Sequence, residues 1–200
     1  MFISSILRIK DKIPQVARIV PSYNEELPRS GSVLFNFHNR NEKSRNKTLK
    51  KWKRLNKYFI IPLYRAKLLP LLGFGKTFLI LKTKGWKTGK LRRTPLEYKR
   101  YEGAIIIFSA RGENAMWIKN IRANPNDVSV TRGFHDFKPR VEFISDIDQK
   151  LQIIKWYVAN YGRFARVLFG WDPKIDNPET ADFSKLANLL TIVVLHEDKN

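Results

Sequence analysis

The stretch FLILKTKGWKTGKLRRTP, residues 78–95, decides how the chain is expected to fold. A short apolar run at 78–81 leads into a turn that contains Gly85 and Gly89, and a second extended segment starts at Leu91. Apolar segments separated by a glycine-containing turn are typical of an antiparallel hairpin. The sequence therefore predicts a hairpin whose turn carries basic residues at its tip.

Further short extended segments follow this hairpin along the chain. Strands are predicted at 91–100, 104–108, 127–131, 134–144 and 191–195. Helices are predicted around Trp117, after a cap at Ser145 and Asp148, and over 52–64, where Pro62 must divide the segment. No long βαβ alternation is present in the sequence. The expected fold class is therefore mainly β (α+β), an antiparallel barrel of about six strands with helices packed over its ends.

The first fifty residues differ in character from the rest of the chain. Residues 1–20 mix apolar and charged side chains, which predicts a short amphipathic helix broken near Pro14 and not a secretory signal. Residues 21–50 contain prolines, a glycine and a polar cluster, which indicate a loosely structured connector. We therefore predict a basic N-terminal extension over residues 1–50 and a barrel domain over residues 51–200.

The positive charge of the chain is confined to its first half. The formal net charge is +20, and residues 1–57 carry 14 Lys/Arg against 4 Asp/Glu, while residues 58–100 carry 11 against 1. Residues 101–200 carry 13 of each and are neutral overall. This asymmetry indicates an acidic partner such as nucleic acid, an anionic membrane surface or a polyanionic small molecule. A solvated basic surface is the alternative for residues 1–57.

Several classes of chemistry are disfavoured by the composition. The chain has no cysteine, which excludes a disulfide framework, a thiolate zinc site and a cysteine nucleophile. The three histidines, His38, His135 and His196, are far apart and none has a recognised metal-ligand spacing. Only one carboxylate, Glu97, lies between residues 58 and 100, so a paired-carboxylate hydrolase is disfavoured. We predict no metal site.

The turn at residues 85–93, GWKTGKLRR, is the first candidate binding segment. Its two glycines permit a tight turn with exposed backbone amides, and four cations lie within seven positions. Together these features form a concave site for an anion such as phosphate. It is not the phosphate loop of nucleotide hydrolases, which has four residues between its glycines and a Ser or Thr after its lysine. Here three residues separate the glycines, and Leu91 follows Lys90. A plain hairpin with a solvated basic tip remains the alternative.

A second candidate segment runs from a strand end into a helix, over residues 109–125. A strand end followed by a helix N-terminus exposes amides that can contact an anion or a polar ring edge. Trp117 and Asn120 are three residues apart and share one face of this helix. Trp117 fits either a core position or a cofactor contact.

These two segments together resemble the deazaflavin-dependent nitroreductase family, and residues 191–195 are similar to its last strand. The resemblance covers residues 52–197. It implies a split β-barrel that binds coenzyme F420, a deazaflavin with a phosphodiester and a glutamate tail. Members deliver a hydride from the reduced coenzyme to quinones, nitroaromatics or unsaturated carbonyls. The chain is therefore expected to be an F420-dependent oxidoreductase without a catalytic side chain, because the cofactor supplies the hydride.

The resemblance also implies a set of cofactor-binding residues. Lys87 and Arg92 would face the anionic groups, and Ser109, Met116 and Asn120 would line the path of the ring and its side chain. The full expected set is Lys87, Thr88, Lys90, Arg92, Thr94, Pro95, Ser109, Ala110, Arg111, Met116, Trp117 and Asn120. The chain departs from the family in having Trp86 where a basic residue is usual, and in lacking an evident tyrosine-rich segment between residues 161 and 188. The substrate assignment therefore does not carry over.

The sequence leaves two alternative functions open and also suggests which partners the protein binds. The same barrel with FMN is the nearest rival, since both cofactors present a phosphate and a tricyclic ring. A non-enzymatic basic module that binds anionic lipid or nucleic acid is the other rival, although no nucleic-acid motif is present. We expect a small-molecule electron acceptor, no specific nucleic acid, and compatibility with a homodimer. A cytoplasmic location is expected, with peripheral contact on the inner face of an anionic membrane.

Overall fold

The computed structural model describes residues 27–197 apart from 31, 40 and 72–75. The described strands are β1 Phe78–Lys84, β2 Leu91–Glu97, β3 Lys99–Tyr101, β4 Ala104–Ser109, β5 Val128–Arg132, β6 His135–Phe137, β7 Pro139–Ile144 and β8 Thr191–Glu197. The described helices are α1 Val33–His38, α2 Glu42–Leu55, α3 Ile61–Arg65, α4 Leu68–Leu71, α5 Met116–Ala123, α6 Ile147–Asn160, α7 Gly162–Phe169 and α8 Ser184–Leu189. A π-helical turn, Asn56–Ile60, joins α2 to α3, and a 3-10 turn, Gly112–Asn114, precedes α5.

The strands form two antiparallel four-stranded sheets, in the orders β2-β1-β5-β6 and β3-β4-β8-β7. The predicted α+β class, with an antiparallel barrel and packed helices, is confirmed. Eight strands are present where about six were predicted, because two predicted segments each divide between the sheets. Segment 91–100 divides at Tyr98, whose N–H donates to the Thr77 carbonyl at 3.1 Å, and segment 134–144 divides at Lys138, immediately before Pro139.

The runs at β4 and β8 are almost continuously apolar because both of their faces are buried. Alternate residues such as Ile105 and Val193 join the barrel core with Leu79, Leu81 and other apolar side chains of the first sheet. Their neighbours Ile106 and Ile192 belong to a second apolar cluster, which α6, α7 and α8 cover from outside. The second sheet therefore lies between the barrel interior and a helical layer.

The connector predicted over residues 21–50 is helical in most of its described part. Ser32 and Asn41 cap two helices, since their side chains accept from the N–H groups of Phe35 and Ser44. Leu34 in α1 is fully buried in the outer apolar cluster. The amphipathic helix predicted over residues 1–20 lies outside the described residues, and the division at residue 50 stays a prediction.

The segment before β1 follows the predicted helical pattern, with Pro62 as the second residue of α3. Tyr64 fixes this segment to the barrel: its hydroxyl accepts from the Gly133 N–H at 2.7 Å and donates to the Phe78 carbonyl at 3.2 Å. Within the described part of the chain, no helix combines the length and apolar character that crossing a membrane would require.

Candidate functional site

The turn between β1 and β2 is closed by backbone hydrogen bonds that depend on its two glycines. The Gly85 N–H donates to the Lys90 carbonyl at 2.9 Å, and the Gly89 N–H donates to the Gly85 carbonyl at 2.7 Å. Gly89 has a φ of +63°, a left-handed conformation that disfavours residues with a Cβ atom. A Cβ on Gly85 would lie 3.0 Å from Thr88 Oγ1 and 3.2 Å from the Lys90 carbonyl oxygen. The predicted tight turn is therefore present, with a left-handed backbone at Gly89 and little room for a Cβ at Gly85.

The tip of this turn carries four exposed cations, Lys87, Lys90, Arg92 and Arg93. Among the described residues, no carboxylate forms an ion pair with any of the four, whereas Lys84 further down the hairpin pairs with Asp127. Arg92 Nη2 donates to Thr88 Oγ1 at 3.2 Å, and Lys87 Nζ lies 4.7 Å from the centre of the Trp86 ring. The tip therefore presents uncompensated positive charge, which favours an anionic ligand.

Asn120 connects the hairpin to α5 through a buried amide. Its Oδ1 accepts from the Trp86 N–H at 3.1 Å, and its Nδ2 donates to Thr83 Oγ1 at 3.0 Å. The side chains of Asn120 and Thr83 are both almost fully buried. Both ends of the amide are therefore committed to the protein, and Asn120 fixes the turn instead of offering a free polar group.

The second predicted segment forms a compact corner at the end of β4. Ser109 is buried, and its hydroxyl donates to the Gly112 carbonyl at 2.9 Å. Gly112 has a φ of +52°, and a Cβ there would lie 2.9 Å from the carbonyl oxygen of Leu189. Helix α5 begins after Ala115 without a side-chain cap. The side chain of Met116, the first residue of α5, is 52% exposed, so it can contact a ligand.

The predicted site residues differ in their exposure to solvent. Lys87, Thr88, Lys90, Arg92 and Met116 are exposed and can contact a ligand directly. Four others are half-buried: Thr94, Pro95, Ala110 and Arg111. The remaining three, Ser109, Trp117 and Asn120, are buried, and Trp117 packs in the barrel core. The hairpin tip and α5 are brought together by Asn120, whereas Thr94 and Pro95 lie further along β2, paired with Leu81 and Ile80.

Two residues of α1 contact this region and were not predicted. His38 Nε2 lies 2.9 Å from the Ala110 carbonyl oxygen, and the Phe37 ring centre lies 5.9 Å from the Arg111 guanidinium. Burial, and secondarily the nearby charge of Arg45, lowers the pKa of Arg111. The contacts join residues more than seventy positions apart, so no local pattern in the sequence could have indicated them.

A buried polar cluster lies between the barrel and α6, and it was also not predicted. Lys99 Nζ is 2.9 Å from Glu97 Oε1, which also accepts from the Tyr157 hydroxyl at 3.2 Å. Lys99 is only 8% exposed, and its Nζ lies 3.7 Å from the centre of the Phe164 ring. Burial, followed by the charge of Glu97, raises the pKa of Tyr157. The cluster therefore keeps Tyr157 protonated as a donor to the Glu97 carboxylate.

Within the described residues, no group of three or more His, Asp or Glu side chains is arranged to hold a metal ion. The ion pair of Glu113 with Arg122 is the main charged contact of α5, with Nε to Oε2 at 2.7 Å. The hydrogen bond from Arg122 lowers the pKa of Glu113, and Glu113 also accepts from the Thr191 hydroxyl at 3.0 Å. These contacts fasten the 3-10 turn to α5 and β8.

Comparison with known proteins gives a family match over this region. Residues 69–166 match the family model described as F420H(2)-dependent quinone reductase. A solved F420-H2 dependent reductase is similar at 20% identity over 60% of this chain and 95% of that chain, with a TM-score of 0.42. A protein solved as a domain-swapped dimer has 18% identity, coverage of 68% and 98%, and a TM-score of 0.42. A NimC/NimA family protein from Clostridium acetobutylicum has 14% identity, coverage of 72% and 85%, and a TM-score of 0.39.

Proposed function

The chain belongs, through residues 69–166, to the F420H(2)-dependent quinone reductase family, and we propose that the turn at residues 85–93 holds the anionic part of its cofactor. The protein is an oxidoreductase that uses coenzyme F420, as the resemblance of its sequence implied. When bound, the reduced coenzyme supplies the hydride, so the protein must provide binding and orientation and needs no nucleophile.

The observation that carries the proposal is the set of four unpaired cations on a turn fixed by glycines. The coenzyme has a phosphodiester and a glutamate tail, and several negative charges need several cations without competing carboxylates. Lys87, Lys90 and Arg92 meet this requirement, because they are exposed and no described carboxylate pairs with them. The residues present therefore fit the anionic part of the group.

The ring of the cofactor is assigned to the corner between the hairpin and α5. Met116 is exposed there, and Ala110, Arg111, Thr94 and Pro95 are half-buried. The buried Ser109, Trp117 and Asn120 act as supports, since their side chains hold the corner, the core and the hairpin in place. Fixing the surrounding backbone in this way preorganises the site for one ligand geometry.

The electron acceptor is a small molecule of the quinone type, in line with the family to which the chain belongs. Nitroaromatics and unsaturated carbonyls are further candidate acceptors. We also propose a cytoplasmic enzyme, compatible with a homodimer, that contacts the inner face of an anionic membrane. The division into a basic extension over residues 1–50 and a cofactor domain over residues 51–200 remains part of this proposal, supported by the ten Lys/Arg against four Asp/Glu of residues 1–50.

The test is an assay of reduced F420 oxidation with a soluble quinone, a nitroaromatic and an enone as acceptors. We expect turnover above the enzyme-free rate with the quinone. Arg92→Gln should raise the KM for reduced F420 at least tenfold and change kcat little, because the lost contact is to a part of the cofactor that does not react. Lys155→Gln, an exposed cation on α6, serves as the charge control. Turnover equal to the blank, or an unchanged KM in Arg92→Gln, would overturn the proposal.

A further inference from the structure

Helix α1 is anchored to the helical layer of α6, α7 and α8 near its start. The Arg29 N–H donates to the Phe169 carbonyl at 3.0 Å, and Arg29 Nη2 donates to Asp176 Oδ1 at 2.6 Å. Leu34 of α1 is fully buried in the outer apolar cluster. These contacts hold a helix that precedes residues 69–166, the part of the chain that matches the family.

The other end of α1 lies against the region to which the cofactor ring is assigned. We call Ala110, Arg111 and Met116 the cofactor corner. His38 Nε2 donates to the Ala110 carbonyl at 2.9 Å. The centre of the Phe37 ring lies 5.9 Å from the guanidinium group of Arg111. Helix α1 therefore connects the helical layer to the cofactor corner.

Arg111 is a half-buried cation whose charge is not neutralised by the protein. Among the residues that the structure describes, no carboxylate forms an ion pair with it, and its charged neighbour is another cation, Arg45. Arg45 Nη1 donates to the Phe37 carbonyl at 3.5 Å, so both guanidinium groups contact Phe37. Burial, followed by the charge of Arg45, lowers the pKa of Arg111. An anion bound at Arg111 would relieve this repulsion.

We propose that helix α1 and Arg45 position Arg111 to bind the anionic cofactor F420. The Phe37 ring attracts the guanidinium group to its face, and His38 fixes the backbone of Ala110, from which the next residue projects. The charge of Arg45 disfavours movement of Arg111 towards α2. A cation that is already fixed loses less conformational entropy when the ligand binds, which raises the affinity. The inference rests on the proposed function, because F420 is the ligand.

The stability of the fold does not explain the contacts at the end of α1. The helix is already held at Arg29 and Leu34, as described above. His38 is exposed, so its hydrogen bond to Ala110 contributes little to folding by itself. A positioning role therefore predicts that cofactor affinity changes while the melting temperature does not.

The first test is an equilibrium fluorescence titration of the full-length protein with F420. Phe37→Leu and His38→Ala should each weaken binding about two- to fivefold, the range for one cation–π contact or one hydrogen bond. His38→Gln keeps an N–H donor and should recover most of the affinity. The controls are Phe35→Leu, on another side of α1, and Asn39→Ala, an exposed neighbour of His38. Both controls should bind F420 as the wild type does, and the melting curves should agree throughout.

The second test places a carboxylate beside Arg111. In Arg45→Glu the introduced carboxylate can pair with Arg111 and neutralise it, so F420 binding should weaken about tenfold. Lys47→Glu is the matched control, because it changes the net charge equally at an exposed position of the same helix. This control should weaken F420 binding much less than Arg45→Glu does.

The third test asks whether α1 acts through Arg111. Arg111→Gln should weaken F420 binding by itself. In that background Phe37→Leu and His38→Ala should change the affinity less than about twofold, because the group that they position is gone. A purely structural role of α1 would instead give the same loss in both backgrounds.

The outcomes separate this inference from the proposed function. Equal affinities in Phe37→Leu and Phe35→Leu, equal losses in Arg45→Glu and its control, or undiminished losses in the Arg111→Gln background would overturn the inference. The proposed function would stand in each case, since the variant Arg92→Gln tests it separately. A wild-type protein that binds no F420 would overturn both.

Discussion

Replacing Asn120 by alanine should loosen the cofactor turn while leaving the barrel folded. The change removes the acceptor for the Trp86 N–H at 3.1 Å and the donor to Thr83 Oγ1 at 3.0 Å, both within a side chain that is 4% exposed. Each hydrogen bond contributes a net ~1 kcal/mol, and a buried group left without its partner adds to the cost. We therefore expect the free energy of unfolding to fall by ~2–3 kcal/mol, which corresponds to ~4–12 °C in Tm for a chain of this length.

The assay for this prediction is a double-mutant cycle that combines Asn120→Ala with Thr83→Val, followed by urea unfolding and F420 titration. Two contacting partners should show a coupling energy of at least ~0.5 kcal/mol. Asn120→Ala should also weaken F420 binding, because the turn is no longer fixed to α5. The control is Asn160→Ala, whose exposed amide donates only to the Trp156 carbonyl in its own helix at 2.8 Å. Additive energies, or a Tm unchanged by Asn120→Ala, would refute the reasoning.

Three further predictions concern the cofactor charge, the tight corner and the pH dependence. Lys87→Ala and Arg92→Ala should each weaken F420 binding by ~1.5–3 kcal/mol with an unchanged melting curve, as measured by fluorescence titration, and unchanged affinity in both would contradict the assignment. Gly112→Ala should lower the free energy of unfolding more than Gly133→Ala does. Both glycines have a positive φ, but only at Gly112 does a carbonyl oxygen lie 2.9 Å from the added Cβ. Equal decreases in urea unfolding would argue against this. The pKa of Tyr157 is raised in the folded state, so its contribution to stability is fully present below pH ~10, the pKa of an unfolded tyrosine, and is lost as the pH rises further. In Tyr157→Phe the free energy of unfolding should therefore fall less steeply with pH in alkali. An identical slope in the variant and the wild type would contradict this prediction.

Local patterns were sufficient to predict the hairpin and its turn. Gly85 and Gly89 alone indicated the tight turn, and the apolar runs indicated β4 and β8 within one or two residues. The predicted helix cap at Ser145 and Asp148 was displaced by one position, since Asp146 accepts from the Gln149 N–H at 2.7 Å. Ser and Asp cap helices about equally well, so the sequence alone does not show which of the neighbours Ser145 and Asp146 is the N-cap.

Features that depend on distant contacts could not be predicted from the sequence. The apolar run at Ile105 and Ile106 is equally compatible with one buried face or two, and only the packing of α6 to α8 shows that both faces are covered. The polar link from Asn120 to Thr83 joins residues 37 positions apart. Residues 161–190 carry no helix prediction from the sequence, yet they contain α7 and α8, because their apolar residues bury against the second sheet and α6.

The measurement that tests the central claim most directly is an equilibrium fluorescence titration of the full-length protein with F420 and, in parallel, with FMN. We predict tighter binding of F420, because its glutamate tail adds anionic contacts to the cations Lys87, Lys90 and Arg92 on the turn. The preference should shrink in the Lys90→Gln variant and as salt is raised. Equal affinity for the two cofactors, or a preference for FMN, would contradict the account.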